Sequence, residues 1–409
     1  MSRWLYVLLL AAPGAFIAEA LHASPLVVFI IAALGLIPLA GLIGTATESL
    51  AEHLGHGIGG LLNATFGNAA EIIIGLAALS AGLPEVVRAS LAGSIIGNVL
   101  LVLGSAMLVG GWKHIKQRFD RRTAGQYATM IALAVIGMAI PSLLATVGES
   151  TQPGSVVVRG SQLHQLSIWI SLVLLICYAA YIASSVFGLR TDTGGKRGRA
   201  AGHSEKADEQ AHSEAHATEK KRAHHHFSTA HANGGAGEDG QRKDTGFIAQ
   251  FARLWVTTIW LPIVVLAAAT AVTAVVSEVL VGTIEPLTEQ VGLNPFFVGL
   301  IILPIVGNAA EHFSAITSAS RNHMEISMAI TAGSSIQIAL LAAPVLVLAG
   351  AIMGAPLDLN FSLLEVAMFG LVAGLYALIS LDGESTWLEG LQLLVFYLIV
   401  AVGAFFIPG

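Results

Sequence analysis

The five letters GNAAE occur twice, in "NATFGNAAEIIIGLA" (residues 63–77) and in "LPIVGNAAEHFSAIT" (303–317). Each copy puts a carboxylate, Glu71 or Glu311, inside an otherwise apolar run. A carboxylate at mid-bilayer costs at least about 2.5–3.5 kcal/mol, so it persists where it faces a cavity, pairs, or binds something. Two carboxylates brought together in a low dielectric do not readily both ionise; they share protons or a cation. One divalent cation or two protons neutralise such a pair equally well, which is the physical basis of ion exchange. The plainer reading, two protonated glutamates gluing helices together, does not account for the duplication.

The remaining letters of the motif suit an ion site. Gly67 and Gly307 weaken the helix just before each glutamate, and a loosened turn is tolerated in a membrane only where it lines a cavity. Asn68 and Asn308 add amide oxygens. Carboxylate, carbonyl and amide oxygens suit a hard cation such as Ca²⁺, which takes 6–8 of them. Ser94 with Asn98, and Ser334 with Gln337, place paired polar groups on one helical face each, as further ligand or supporting oxygens. Hydrogen bonding between helices is the alternative use of such residues. Glu48 and Glu278 lie 23 and 33 residues before the motif glutamates and are read as acidic groups at the cavity mouths. His312 follows Glu311 but points about 100° away on a helix, so it tunes Glu311 or bonds a neighbour rather than sharing its ligand. Glu52, His53 and His56 read as an interfacial cluster.

These residues need a scaffold, and the composition says which kind. The chain is 55% hydrophobic and 11% charged, with a mean hydropathy of +0.75, where soluble domains carry about 25% charged residues. It is an all-α polytopic membrane protein. Runs of roughly 20 apolar residues predict about eleven transmembrane helices, at 4–20, 25–54, 56–82, 85–111, 124–144, 163–188, 248–281, 290–319, 324–352, 359–380 and 386–407. The first (domain 1–23) also has the outline of a signal peptide, but a retained helix is the expectation. Residues 190–246 hold ten of the twenty Lys/Arg, nine of the twenty-six Asp/Glu and seven of the fourteen His. That segment has few bulky apolar residues and is expected to be a disordered, His-rich cytoplasmic linker. Its histidines, "HHH" at 224–226 among them, are alternatively weak metal ligands. The lone Cys177 excludes an intramolecular disulfide and a Cys-rich metal site. The basic segment "WKHIKQRFDRR" (112–122) is expected in the cytoplasm, which puts the N-terminus inside and the C-terminus outside, with a prokaryotic cell membrane as the expected location.

The two motifs lie 240 residues apart, and the same offset aligns "AGSIIGNVLL" (92–101) with "AGSSIQIALL" (332–341), Ser80 with Ser320 and Glu85 with Glu325. Upstream the register slips by ten, so that "ATESL" (46–50) meets "VSEVL" (276–280). The chain thus reads as one N-terminal helix plus two five-helix repeats, 24–189 and 247–409. An odd number of spans per repeat makes them inverted, the usual plan of secondary transporters with a site at the repeat interface.

"ATESLAEHLG", "GGLLNATFGNAAEIIIGLAAL", "LAGSIIGNVLLVLG", "LPIVGNAAEH", "GSSIQIALL" and "DGESTWLEGLQLL" (382–394) resemble the calcium/proton exchanger (CAX) family of the Ca²⁺/cation antiporter superfamily. The resemblance covers nearly all the spans. It implies an eleven-helix fold, Ca²⁺ moved against H⁺, and Glu71 and Glu311 as shared Ca²⁺/H⁺ sites, with no cofactor beyond the transported ions. The Ser/Thr–Pro–Glu/Asp patterns of the Na⁺-coupled branch are missing, and the linker is near charge-balanced where the family often has an acidic one. Exchange of Mn²⁺, Na⁺ or K⁺ for protons stands as the alternative, since oxygen ligands also fit Mn²⁺. A membrane-embedded enzyme would need a nucleophile–base pair or an H-E-x-x-H motif, and the chain has no such motif. A channel commonly builds its ring from identical subunits, whereas this chain duplicates its site internally.

Overall fold

The computed structural model describes residues 7–150, 160–187 and 259–407. The expected linker, 190–246, lies outside the described residues, as do Trp4 and Tyr6. Apart from one pair of three-residue strands, the described chain is helical. In lipid only intrasegment hydrogen bonds satisfy an isolated backbone, so helices are what so apolar a chain forms.

The first half runs α1 (Ala11–Ala20), α2 (Pro25–Phe66), α3 (Ala69–Ser80), α4 (Pro84–Gly97), α5 (Gly104–His114), β1 (Lys116–Arg118), α6 (Arg121–Ser150) and α7 (Ser161–Phe187). The second runs α8 (Trp260–Gly282), α9 (Ile284–Val291), α10 (Pro295–Phe297), α11 (Leu303–Gly307), α12 (Ala309–Ser320), α13 (Met324–Gln337), α14 (Ala343–Met353), α15 (Leu363–Ile379), β2 (Glu384–Thr386) and α16 (Trp387–Phe405). Wide π-helical turns join α4 to α5 (Asn98–Leu103), α10 to α11 (Val298–Ile302) and α13 to α14 (Ile338–Ala342). Among the described residues, seven helical segments are long and apolar enough to cross a membrane, the bent pair Pro295–Gly307 and Ala309–Ser320 passes the same test together, and Ala69–Ser80 and Leu363–Ile379 are shorter apolar helices.

Four expected spans differ in form. The run expected at 290–319 is bent by 62° at Asn308. The run expected at 25–54 continues into the start of that expected at 56–82 as one sharply bent helix, α2, since a Cβ built on Gly59 would lie 2.6 Å from the carbonyl oxygen of Ala51, which no straight helix allows, and the rest of the second run is the separate helix α3. The run expected at 359–380 becomes helical only at Leu363, where Ser362 and Glu365 form a reciprocal capping box. The residues before it are extended and pinned: Leu359 N–H donates to Ser167 Oγ (3.0 Å), Phe361 N–H to Ser142 Oγ (2.7 Å), and His164 Nδ1 sits 3.0 Å from Asp358 Oδ1.

The 240-residue register is visible in the backbone. Gly82 and Asn322 share left-handed φ values of 79° and 65°. Leu83 and His323 share φ −108° with ψ 56° and 60°. The π turns after α4 and α13 begin at Asn98 and Ile338, also one offset apart. Around Glu48 and Glu278 the exposure pattern is the same, one exposed glutamate between two buried residues on either side.

The core is made where the halves touch. A Cβ on Gly93 of α4 would come 2.0 Å from the Leu300 carbonyl oxygen, and one on Gly299 would come 2.7 Å from that of Val86. Only glycines let α4 and the π turn before α11 approach so closely. This contact seats the start of the Glu311 segment against the first half.

Candidate functional site

Both GNAAE motifs break a helix. Asn68 (φ −104°, ψ 25°) and Asn308 (φ −92°, ψ 9°) lie outside helical geometry, and α3 and α12 start immediately after them. Glu71 and Glu311 therefore stand in the first turn of a helix, where the exposed N–H groups and the helix dipole favour negative charge. An asparagine here would ordinarily cap the helix with its side-chain oxygen. Neither does so: Asn68 Oδ1 is turned to Ser334, and Asn308 Oδ1 is left without a partner.

Those amides tie the halves together. Asn68 Nδ2 donates to Gln337 Oε1 (2.5 Å) and Asn68 Oδ1 accepts from the Ser334 hydroxyl (3.4 Å). Asn308 Nδ2 donates to Ser94 Oγ (3.1 Å) and to the Pro304 carbonyl (3.1 Å). Asn98 Nδ2 donates to Ser334 Oγ (2.9 Å). Asn68–Ser334 and Asn308–Ser94 are the same contact made twice, once by each half. Asn98 and Gln337 break the symmetry, for their counterparts are Ile338 and Gly97, and both serve the Asn68–Ser334 side. All four of Asn68, Asn308, Ser94 and Ser334, with Asn98, are buried.

The two glutamates meet at this network. A Cβ on Gly307 would lie 3.4 Å from Glu71 Cγ and 3.8 Å from its Oε1, so Glu71 rests on the backbone just before Glu311. Both residues are half-buried as a whole, yet Oε2 of each is sealed without a hydrogen-bond partner, as is Asn308 Oδ1. Buried oxygens are rarely left so. The unpartnered oxygens sit at helix starts from both halves of the chain. Among the described residues no cluster of three or more His, Cys, Asp or Glu side chains is present. A cation held here is bound by two carboxylates at most, with neutral oxygens completing its shell.

Of the expected site residues, Glu71, Glu311, Asn68, Asn308, Gly307, Ser94, Asn98, Ser334 and Gln337 come together, and Gly67 precedes the α3 break. Glu48 and Glu278 stand exposed on α2 and α8, outside this hydrogen-bond network. His312 is half-buried beside Glu311, and His53 Nδ1 lies 2.7 Å from the Ser49 carbonyl.

One residue escapes sequence reasoning. Gln117 sits in the most basic loop of the membrane halves and is nevertheless wholly buried. β1 pairs antiparallel with β2, Gln117 opposite Ser385, and Lys116 Nζ contacts Glu384 Oε2 at 2.8 Å. That hydrogen bond and charge hold the Glu384 carboxyl below its usual range. The pairing turns Gln117 inward, where Nε2 donates to the Ala319 carbonyl (2.8 Å) and to Asn322 Oδ1 (3.2 Å) at the far end of α12. Gly110 makes the space, since a Cβ there would overlap Gln117 Oε1. One offset along, the counterpart of Gln117 is the buried Leu357, and the counterpart of Gly110, Gly350, lies against the backbone of Ala355 and Leu357. A glutamine flanked by exposed cations was the available signal. Gln117→Leu, which copies Leu357, should keep the packing but release the end of the Glu311 helix. We expect it to destabilise the folded chain by about 1 kcal/mol, read as a lower midpoint in tryptophan-monitored thermal unfolding in detergent; an unmoved midpoint would show that the amide carries no weight.

Comparison with known proteins places this geometry. The family model described as sodium/calcium exchanger protein matches residues 24–187 and 261–406. The chain is 39% identical over 407 residues to a Ca²⁺/H⁺ antiporter of Synechocystis sp., covering 100% of this chain and 98% of that one. It is 37% identical over 407 residues to the Ca²⁺/H⁺ antiporter ChaA of Bacillus subtilis, covering 99% of both. Among solved structures it resembles native YfkE, with a TM-score of 0.73 at 32% identity over 99% of this chain and 100% of the other.

Proposed function

Because this chain belongs to the sodium/calcium exchanger protein family, we propose that it is a Ca²⁺/H⁺ antiporter in which Glu71 and Glu311 alternately hold one Ca²⁺ or protons. The observation that carries the reading is the meeting of two duplicated glutamates, each with an unpartnered buried oxygen, at helix starts from opposite halves of the chain. Full-length similarity to proteins named as Ca²⁺/H⁺ antiporters supports the choice of ions.

In the protonated state each carboxyl is neutral and its O–H supplies a donor. When Ca²⁺ arrives, both carboxylates lose their protons and offer oxygens, while Asn308 Oδ1 is a neutral oxygen ready to join them. Asn68, Ser94, Asn98, Ser334 and Gln337 hold the two helix starts in register and are positioned to contribute further oxygens. Glu48 and Glu278 serve as acidic groups at the mouths of the path. Alternating access then follows from eleven spans arranged as a first helix and two inverted five-helix repeats, 24–189 and 247–409, joined by the linker at 190–246. The basic loop at 112–122 faces the cytoplasm of a prokaryotic cell, with the N-terminus inside and the C-terminus outside.

The test is collapse of an imposed pH gradient in proteoliposomes of the purified chain, with Ca²⁺, Mn²⁺, Mg²⁺, Na⁺ and K⁺ added in turn. Ca²⁺ is expected to release protons at the lowest concentration. Collapse by Na⁺ or K⁺ without Ca²⁺, or by no cation, would overturn the proposal, and a lower requirement for Mn²⁺ would reassign the substrate.

A further inference from the structure

A groove of about 690 Å³ opens between the start of α6 and the end of α15, lined by Arg121, Arg122, Gly125, Ala128, Ala132 and Ala377. Its charged end and its apolar length are distinct. Gly125, Ala128 and Ala132 recur at helical spacing on one face of α6, and their small side chains leave the channel open. Leu133 and Leu378 beside it are 66% and 64% exposed, so this face of the bundle is turned to the hydrocarbon.

At the other end, Arg121 and Arg122 are both exposed, and neither has an ion-pair partner among the described residues. The nearby cations Lys116 and Arg118 are already paired with Glu384. The adjacent carboxylate, Asp120, caps α6 by accepting from Thr123 N–H at 2.7 Å. Arg121 is also guided: its stem lies across Gly383 (φ 76°), where a Cβ would come 2.5 Å from Arg121 Cγ. Two arginines with no ion pair among the described residues thus stand at the mouth of an apolar furrow on the membrane-facing surface. The chemistry that satisfies both parts is a phosphodiester joined to an alkyl chain.

We propose that this groove binds an anionic phospholipid, with its headgroup phosphate on Arg121 and Arg122 and an acyl chain along the small residues of α6. Guanidinium groups favour phosphate through paired N–H donors, and basic pockets between spans are the usual form of such sites. The proposal does not depend on which ions the chain exchanges.

The experiment uses the purified full chain in mixed micelles of phosphatidylglycerol and phosphatidylcholine, with retained lipids counted by native mass spectrometry. Wild type should retain phosphatidylglycerol selectively. At about fivefold per arginine, Arg121→Gln with Arg122→Gln should cut that selectivity about twenty-fivefold. Ala128→Leu with Ala132→Leu, which fills the furrow and keeps both charges, should lose it too. Lys113→Gln, in the same basic loop but outside the groove, should leave it unchanged. Unaltered selectivity in the arginine variant would overturn the proposal, as would an equal loss in Lys113→Gln, which would indicate only a general positive field. Displacement of the lipid by millimolar inorganic phosphate, or full selectivity in the filled variant, would make this a free-phosphate site and overturn it as well. Should the filled variant fail to fold, the exposed arginine pair decides alone.

Discussion

Glu71→Gln and Glu311→Gln are each expected to abolish Ca²⁺-driven proton release, with at least about a hundredfold loss of exchange rate. The amide keeps the size and one oxygen of the carboxyl but removes both the charge and the exchangeable proton. A singly charged site leaves Ca²⁺ with a net positive charge in a low dielectric, where uncompensated charge costs several kcal/mol. A loss of about 2.7 kcal/mol is already a hundredfold. The two variants should fail alike, because the two halves supply equivalent carboxylates to one site. Proteoliposomes with a trapped pH indicator read the result directly, and unchanged thermal unfolding of the variants guards against simple misfolding. Exchange at half the normal rate in either variant would show that one carboxylate suffices, and the shared site would fall with it.

The second large effect is on pH. Wherever the ion-free pair holds two protons, binding one Ca²⁺ releases both, so apparent Ca²⁺ affinity should fall about a hundredfold for each unit of acidification. The sign follows from competition: protons and Ca²⁺ neutralise the same oxygens, so acid weakens Ca²⁺ binding and alkali strengthens it until the pair is fully ionised, where the slope flattens to zero. Equilibrium Ca²⁺ binding to purified protein across a pH series measures the slope. In the Glu71→Gln and Glu311→Gln variants any residual binding should show a slope of at most one proton. Glu48→Gln should keep the wild-type slope, since Glu48 stands outside the network around the pair. Affinity independent of pH in a chain that still exchanges protons would move the proton route to other residues, with Glu48 and Glu278 first.

Much of this was legible in the order of the residues. Membrane insertion follows from composition alone, because too few charged residues remain outside 190–246 to solvate a soluble surface. The duplication follows from a constant offset, and the asparagine breaks follow from a glycine–asparagine pair set before each glutamate. Helix starts and apolar lengths are local properties, decided by neighbours a turn or two away, so a linear reading recovers them. The partnership of Glu71 with Glu311 was legible only because the duplication links positions 240 residues apart.

What the linear order did not carry are contacts between segments that share no repeat. The pairing of β1 with β2 joins Lys116–Arg118 to Glu384–Thr386, and nothing in two short polar loops announces which will meet. That meeting is what buries Gln117 against the end of the Glu311 helix, and it occurs because Gly110 leaves room for the amide. The asymmetry of the site has the same origin. Asn98 and Gln337 occupy different positions in their repeats, yet both converge on the Asn68–Ser334 side once α4 and α13 are packed. The extended stretch before α15 is as apolar as a membrane helix, and Leu357, Leu359 and Phe361 are indeed buried. Burial there comes from packing against α6 and α7, with Ser142 and Ser167 satisfying its backbone in place of a helix's own hydrogen bonds. Hydrophobicity determined by itself which residues leave water; which backbone groups satisfy one another across the fold was decided by the tertiary structure, because a hydrogen-bond partner is a position in space and the chain order constrains it only locally.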